Sequence, residues 1–257
     1  MKLNQIKKIT LSLLDTFKDA GNVALELREK GLKKEVKSDN TPVTNGDIEV
    51  NNILTKKISA LTPQIPIISE ETSTNKKNEN LNNFWLIDPI DGTSEYINNK
   101  DEFTINAALI INKKPVLGVI YAPDKKRLFY SYGASNSFEI VNNQEINLIN
   151  QKKKNLNLIT AVSYSNELKP DILKLHKEFK VNKYQKMKSS LKFCVIAAGE
   201  FDLYIAEPRA YEWDIAAGHA ILEHAGGTLT DFNGNEIKYG KTDFKNPSLI
   251  LRGKHIS

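Results

Sequence analysis

One cysteine, Cys194, is present in 257 residues, so no disulfide can close within the chain. Folds stapled by disulfides are excluded, and a reducing compartment is expected. Cys194 sits in the apolar stretch Phe193-Cys194-Val195-Ile196-Ala197 and reads as a buried structural thiol. Long apolar runs are also absent. No segment approaches the ~18 consecutive apolar residues of a membrane span. The start Met1-Lys2-Leu3-Asn4-Gln5-Ile6-Lys7-Lys8 has neither an unbroken apolar block nor a small-residue cleavage site. It reads as an amphipathic helix, not a signal peptide, so a soluble cytoplasmic protein without stable membrane insertion is expected. The four histidines, His176, His219, His224 and His255, show no zinc spacing. Nor is there a recognisable Ser-His-Asp arrangement.

Charge is not clustered either. The formal net charge is +5 and the pI about 9.0, but Lys is scattered along the whole chain. The longest basic run, Lys152 to Lys154, reads as a solvated loop. Without a basic helix or a recognition motif, nucleic acid is not the expected partner. What is present is an ordinary globular mixture, 40% hydrophobic and 26% charged, in a length that suits one domain over 1–257. An N-terminal lobe to about 150 and a C-terminal lobe from about 151 are expected within it, because Asn136 to Asn155 is the weakest-patterned stretch.

Leu3, Ile6, Leu13, Leu14, Phe17, Ala20, Val23, Ala24 and Leu27 trace one helical face, which Gly31 can stop. Val36 to Thr44, with Ser38, Asp39, Asn40 and Pro42, reads as a loop with a short extended piece. Thr44 and Asp47, three residues apart, predict the next helix start. Ile65 to Ile68 predicts a strand running into Ser69-Glu70-Glu71, Thr72 to Asn83 an exposed loop, and Phe84 to Ile87 a strand ending at Asp88. Phe103 to Ile111 and Pro115 to Tyr121 predict a hairpin around Asn112-Lys113-Lys114, with Arg127 to Tyr132 as a further strand. Beyond residue 155 the pattern alternates. Leu156 to Ser163, Val181 to Met187, Phe201 to Ala206 and Thr228 to Phe232 read as strands, and Pro170 to Phe179, Leu191 to Ala198 and Trp213 to Ala225 as helices. Alternation of this kind predicts a layered α/β architecture.

The chemistry concentrates in Trp85-Leu86-Ile87-Asp88-Pro89-Ile90-Asp91-Gly92-Thr93-Ser94-Glu95. An apolar strand delivers two carboxylates three residues apart. Gly92 allows close backbone approach, and Thr93 opens a helix whose free N–H groups suit a phosphate. Two carboxylates in one tight turn repel, and a divalent cation is the simplest compensation. Oxygen ligands without Cys or His favour Mg²⁺, Mn²⁺ or Ca²⁺ over Zn²⁺. Taken alone, the segment could equally be turn chemistry. Glu70, at another strand end, and Asp214, at a helix start, supply further carboxylate.

Ser69-Glu70-Glu71, WLIDPIDGTSEY and EWDIAAGHAILEHAGG together resemble the motif set of the inositol monophosphatase superfamily, in its order and approximate spacing. The likeness runs from about Lys37 to Gly227. Ser38-Asp39-Asn40-Thr41-Pro42-Val43-Thr44 with Asp47, GVIYAPDKKRLFY and Ser189-Ser190-Leu191-Lys192-Phe193-Cys194 make it most similar to the CysQ-type 3′(2′),5′-bisphosphate nucleotidases. The resemblance implies an αβαβα sandwich and a Mg²⁺-dependent phosphomonoesterase with about two or three ions per site. It implies metal ligation by Glu70, Asp88, the Ile90 carbonyl, Asp91 and Asp214, and a water-orienting pair in Asp47 and Thr93. Gly92 and Thr93 N–H groups would bind the scissile phosphate, and Ser190 and Lys192 the rest of the substrate, whose site also takes in Glu70, Ile90, Asp91 and Asp214. The implied reaction is hydrolysis of adenosine 3′,5′-bisphosphate to AMP and phosphate, linked in the family to sulfur assimilation. The partner is thus a small phosphorylated metabolite, and a homodimer is allowed.

Departures from that pattern bear on specificity. Tyr204 to Tyr211 reads YIAEPRAY where CysQ-type proteins carry a YPRFGPT-like segment, and Lys188 stands where a glycine is usual. Glu207, seven residues before Asp214, falls where inositol monophosphatases place a carboxylate that binds inositol hydroxyls. An inositol-1-phosphatase or another sugar-phosphate phosphatase is therefore the alternative.

Overall fold

The structure is a computed structural model and describes residues 1–37, 40–72, 81–152 and 158–256. Its outermost layer is formed by α1 (Leu3–Lys30) and α2 (Asn45–Leu61), with the short strands β1 (Lys34–Val36) and β2 (Pro42–Thr44) between them. Ile6, Leu13, Leu14, Phe17, Ala20 and Ala24 bury the stripe expected of α1, and Gly31 ends it at φ 96°. Leu3, expected on that stripe, is instead half exposed, with one methyl against Gly133.

That layer is a sheet of seven strands. Its order is β3 (Ile67–Ser69), β4 (Phe84–Asp91), β5 (Thr104–Ile111), β6 (Lys114–Ala122), β7 (Arg127–Ser131), β8 (Ser137–Val141) and β9 (Gln144–Asn147). Only the β3–β4 pair is parallel. Alternate side chains go to opposite faces: Trp85, Ile87, Leu109 and Val119 pack under α1 and α2, while Phe84, Leu86, Ile110 and Ile120 face the other way. Both faces are covered, which is why the central strands read as unbroken apolar runs.

The middle layer is α5 (Leu191–Ala197) and α6 (Glu212–His224), buried on nearly every side. Beyond it lies a second sheet in the order β11 (Val181–Lys186), β10 (Ile159–Ser163), β12 (Leu203–Ala206), β14 (Leu249–Arg252), β13 (Thr228–Thr230). The helix α4 (Pro170–Glu178) packs on its far face through Ile172 and Leu175 against Ala161, Leu203 and Ile205. The layers are therefore α, β, α, β, α. Mid-chain, the short helix α3 (Thr93–Ile97) follows β4 directly.

One expected strand end is corrected, and three strands appear that the sequence did not announce. The strand predicted to end at Asp88 runs on to Asp91 and absorbs the extra residues as a bulge: Asp88 faces Asn106, and Asp91 faces Thr104. The weakly patterned Asn136 to Asn155 region contains β8 and β9, joined by Asn142 and Asn143 at φ 51° and 60°, values that favour Asn. The strand β14, unforeseen in the sequence, inserts antiparallel between β12 and β13. Ser38, Asp39, residues 73–80 of the expected loop, Lys153, Lys154, Leu156 and Asn157 lie outside the described residues.

The helix α6 lies directly on β6. A Cβ added at Gly118 would fall 2.3 Å from the carbonyl oxygen of Ala217, which is backbone and cannot swing aside. Gly118→Ala is expected to cost about 1–3 kcal/mol through forced separation of helix and sheet. Chemical denaturation of wild type and variant in the same buffer checks this; an unchanged midpoint would refute it.

Candidate active site

Asp47 stands at the third position of α2 and forms a reciprocal cap with Thr44. The Thr44 N–H and hydroxyl donate to Asp47 Oδ2 at 2.7 and 2.6 Å, and Thr44 Oγ1 accepts from the Gly46 N–H at 3.1 Å. The other carboxylate oxygen remains available to the first turn of α3. Thr93 Oγ1 lies 3.3 Å from Asp47 Oδ1 and 3.1 Å from the Ile90 carbonyl, and its single proton can go to either. Burial pushes Asp47 up to about 6 against the hydrogen bonds from Thr44, which pull it down. Tyr96 fixes the geometry from below: its hydroxyl donates to the Ala24 carbonyl at 2.6 Å, and a Cβ on Gly46 would meet it at 2.5 Å.

Four carboxylates gather beside this pair. Asp88 is buried, and burial followed by the charges of Glu70, Asp91 and Asp214 raises its pKa well above the usual range. Its Oδ1 has no hydrogen-bond partner among the described residues. Burial raises Glu70 to about 7, opposed by Lys37, whose ammonium lies 3.2 Å from Glu70 and 2.7 Å from Glu71. Asp91 is raised by burial against the pull of Lys192, and accepts from the Ser190 N–H. Asp214, at the third position of α6, accepts from the Tyr211 N–H at 2.8 Å. Burial and then the charges of Asp91 and Glu70 lift it well above its normal value.

Among the described residues no group of three His, Cys, Asp or Glu forms a ready metal-binding set. The carboxylates meet here as charges, not as a closed shell. Their mutual repulsion and the orphaned Oδ1 of Asp88 are nevertheless what a hard divalent cation would relieve, and the donors are all oxygen. The residues fit such an ion. The same charges make the metal-free protein sensitive to pH. A carboxyl whose folded pKa is raised holds its proton longer in the native state, so its stabilising contribution is present below the unfolded value and lost as pH rises through the folded one. For Glu70 that window runs from 4.5 to about 7, and for Asp47 from 3.8 to about 6. In EDTA, Tm is expected to fall between pH 4.5 and 7.5, by ~2–4 °C per kcal/mol lost for a chain of this size. Mg²⁺ should restore most of the loss at pH 7.5. Thermal melts on a pH series check this, and a Tm that rises over the window would contradict it.

The remaining site candidates are spread around this cluster. Gly92 caps α3 at φ 92°. The Ser190 hydroxyl hydrogen-bonds with Asn106 Oδ1 and Thr104 Oγ1, both at 2.7 Å, so this side chain braces the β4–β5 bulge while its N–H holds Asp91. Lys192 is only 6% exposed. Its ammonium donates to the Lys188 carbonyl at 2.6 Å and to the Ser189 carbonyl, and burial lowers its pKa to about 8. Asp91, Ser190, Lys192 and Asp214 line one small cavity, together with Lys188 and Arg209. Glu207 is not among them. It pairs with Lys169 on a neighbouring cavity of about 390 Å³ that shares Tyr204, Ala206 and Arg209 with the first.

Sequence reasoning missed Lys37, Thr104 and Asn106. Asn106 left a signal, a lone amide inside the otherwise apolar strand β5. Lys37 left none that separates it from a surface lysine.

The layered fold has counterparts among known proteins. The inositol monophosphatase family model matches residues 6–255. The 3′(2′),5′-bisphosphate nucleotidase CysQ of Buchnera aphidicola is 38% identical over 238 residues, covering 91% of this chain and 88% of that protein. The enzyme of the same name from Salmonella typhimurium is 33% identical over 236 residues, covering 90% and 94%. The crystal structure of CysQ from Bacteroides thetaiotaomicron, a bacterial member of the inositol monophosphatase family, superposes with a TM-score of 0.74 at 28% identity, covering 95% of this chain and 97% of that one. The chain belongs to the inositol monophosphatase family. Within that family its similarity to proteins named CysQ extends over nine-tenths of its length.

Proposed function

We propose that the protein is a Mg²⁺-dependent phosphomonoesterase that converts adenosine 3′,5′-bisphosphate to AMP and phosphate. The observation that carries this reading is the convergence of Glu70, Asp88, Asp91 and Asp214, from three segments of the chain, into one largely desolvated carboxylate cluster beside the Asp47–Thr93 pair. Similarity to the CysQ proteins selects the nucleotide substrate.

Glu70, Asp88, Asp91, Asp214 and the Ile90 carbonyl would hold Mg²⁺, two or three ions by analogy with two-metal phosphatases. When bound, the metal neutralises the phosphate dianion and acidifies water. The chain's own groups do the rest. Asp47, through the Thr93 hydroxyl, orients the attacking water and accepts its proton. Gly92 and Thr93 present backbone N–H groups to the scissile phosphate, which φ 92° at Gly92 makes possible. Ser190 and Lys192 form the wall of the cavity beside Asp91 and contact the substrate there, with Glu207 further out. The lobes act as one unit over 1–257. A reducing cytoplasmic setting agrees with the single buried thiol of Cys194, and among the described residues no helix is long and apolar enough to cross a membrane.

Initial rates with Mg²⁺ on adenosine 3′,5′-bisphosphate, inositol 1-phosphate and fructose 1,6-bisphosphate test the assignment. The expected order puts the bisphosphate nucleotide first in kcat/KM by about tenfold or more. Preference for inositol 1-phosphate would replace this reading with an inositol-phosphatase one.

A further inference from the structure

Three cations, Lys188, Lys192 and Arg209, line the cavity that also holds Asp91 and Asp214. Their commitments differ. The Lys192 ammonium is turned back onto the carbonyls of Lys188 and Ser189. Neither Lys188 nor Arg209 has a carboxylate oxygen within 4 Å among the described residues, although the charge of Arg209 reaches Asp91 and Asp214 and pulls their pKa values down. Both rest instead on one aromatic ring: the Lys188 ammonium lies 4.0 Å, and the Arg209 guanidinium carbon 3.2 Å, from the centroid of Tyr164. Burial pushes the Tyr164 phenol up, but the two cations outweigh it and hold its pKa below the ordinary value.

Cation–π contact orients a charge without neutralising it, and it is weaker than a charge-assisted hydrogen bond to phosphate. Arg209 keeps a planar fork of donors that matches phosphate oxygens, and Lys188 adds a point charge. The position is also suitable. Arg209 borders both the cavity of Asp91 and Asp214 and its neighbour of about 390 Å³, where Leu168, Ile172 and Pro208 provide apolar wall. A cavity of that size takes a small organic ligand such as a nucleoside.

We infer that Lys188 and Arg209, oriented by Tyr164, bind the phosphate of a bisphosphate nucleotide that is not hydrolysed, with the nucleoside in the adjoining cavity. The assignment rests on the nucleotidase reading, and it gives the second phosphate to these two residues instead of Lys192.

The test is the ratio of kcat/KM for adenosine 3′,5′-bisphosphate to that for adenosine 3′-monophosphate. Lys188→Gln and Arg209→Gln, which keep much of the side-chain volume, should each lower that ratio roughly 10- to 100-fold, the loss of a hydrogen bond to a charged group. Tyr164→Leu should lower it through KM, and Tyr164→Phe, which keeps the ring but loses the hydroxyl that the two cations also address, should lower it by less. Lys192→Met should depress both substrates together. A high wild-type ratio that Lys188→Gln and Arg209→Gln leave within about threefold, in variants with native circular dichroism, would overturn the assignment alone. A wild-type ratio at or below one would overturn the nucleotidase reading and this assignment with it.

Discussion

Asp91→Asn should reduce turnover by several orders of magnitude while the protein stays folded. Asn has nearly the same shape, and its amide oxygen can still accept from the Ser190 N–H that now holds Asp91. What disappears is a negative charge between Asp88 and Asp214. Both carboxyls are held above their normal pKa partly by Asp91, so both should ionise more easily in the variant. The metal-free variant should then be more stable than wild type at pH 7.5, and it should need more Mg²⁺ for half-maximal activity. A gain in stability with a loss of function is the signature of a site that stores repulsion for its ligand. Steady-state kinetics and a Tm in EDTA supply both readings. Near-wild-type turnover would remove Asp91 from the metal site, and a drop in metal-free Tm would contradict the electrostatic account.

Asp47→Asn is expected to lower turnover by roughly 10²–10⁴-fold, the range for a positioned general base. Here the fold has a specific reason to survive. The carboxylate oxygen that caps α2 accepts from the Thr44 N–H at 2.7 Å, and the Asn oxygen can take its place. The other oxygen, 3.3 Å from Thr93 Oγ1, would become an amide donor unable to take a proton from water. Thr93 would keep the Ile90 carbonyl as an acceptor, so binding should change less than turnover. The effect should therefore appear in kcat, with KM and Mg²⁺ affinity altered by small factors. A loss confined to KM would show that Asp47 positions substrate and does not assist the water.

The helix start at Thr44 was legible in the sequence because a reciprocal cap needs particular residue types at one spacing. The pairing of Asp47 with Thr93 was legible only through the family resemblance and not from pattern or spacing, since it spans two elements that the packing of α2 on β4 brings together. The acidic segment was legible as chemistry but misread as geometry. Pro89 and two carboxylates look like a turn, yet β5 continues to pair through Asn106 and Thr104, and the strand bulges instead of ending. The strands β8 and β9 escaped notice because β9 lies at the sheet edge and is largely exposed, so no strong alternation marks it. Lys192 was legible as a candidate substrate contact on a short helix, but not as a buried side chain. Its burial follows from the place of α5 between two sheets, which leaves that helix no solvent face. The αβαβα layering expected from family resemblance is present, and β14, like β8 and β9, is a strand that neither pattern nor motif announced.

The most direct test of the metal-dependent chemistry is phosphate release from adenosine 3′,5′-bisphosphate by protein stripped with EDTA and then titrated with Mg²⁺. The account predicts no release above background after stripping, and full recovery with Mg²⁺ but not with Zn²⁺, because the site offers only oxygen donors. Undiminished release from the stripped protein would contradict it.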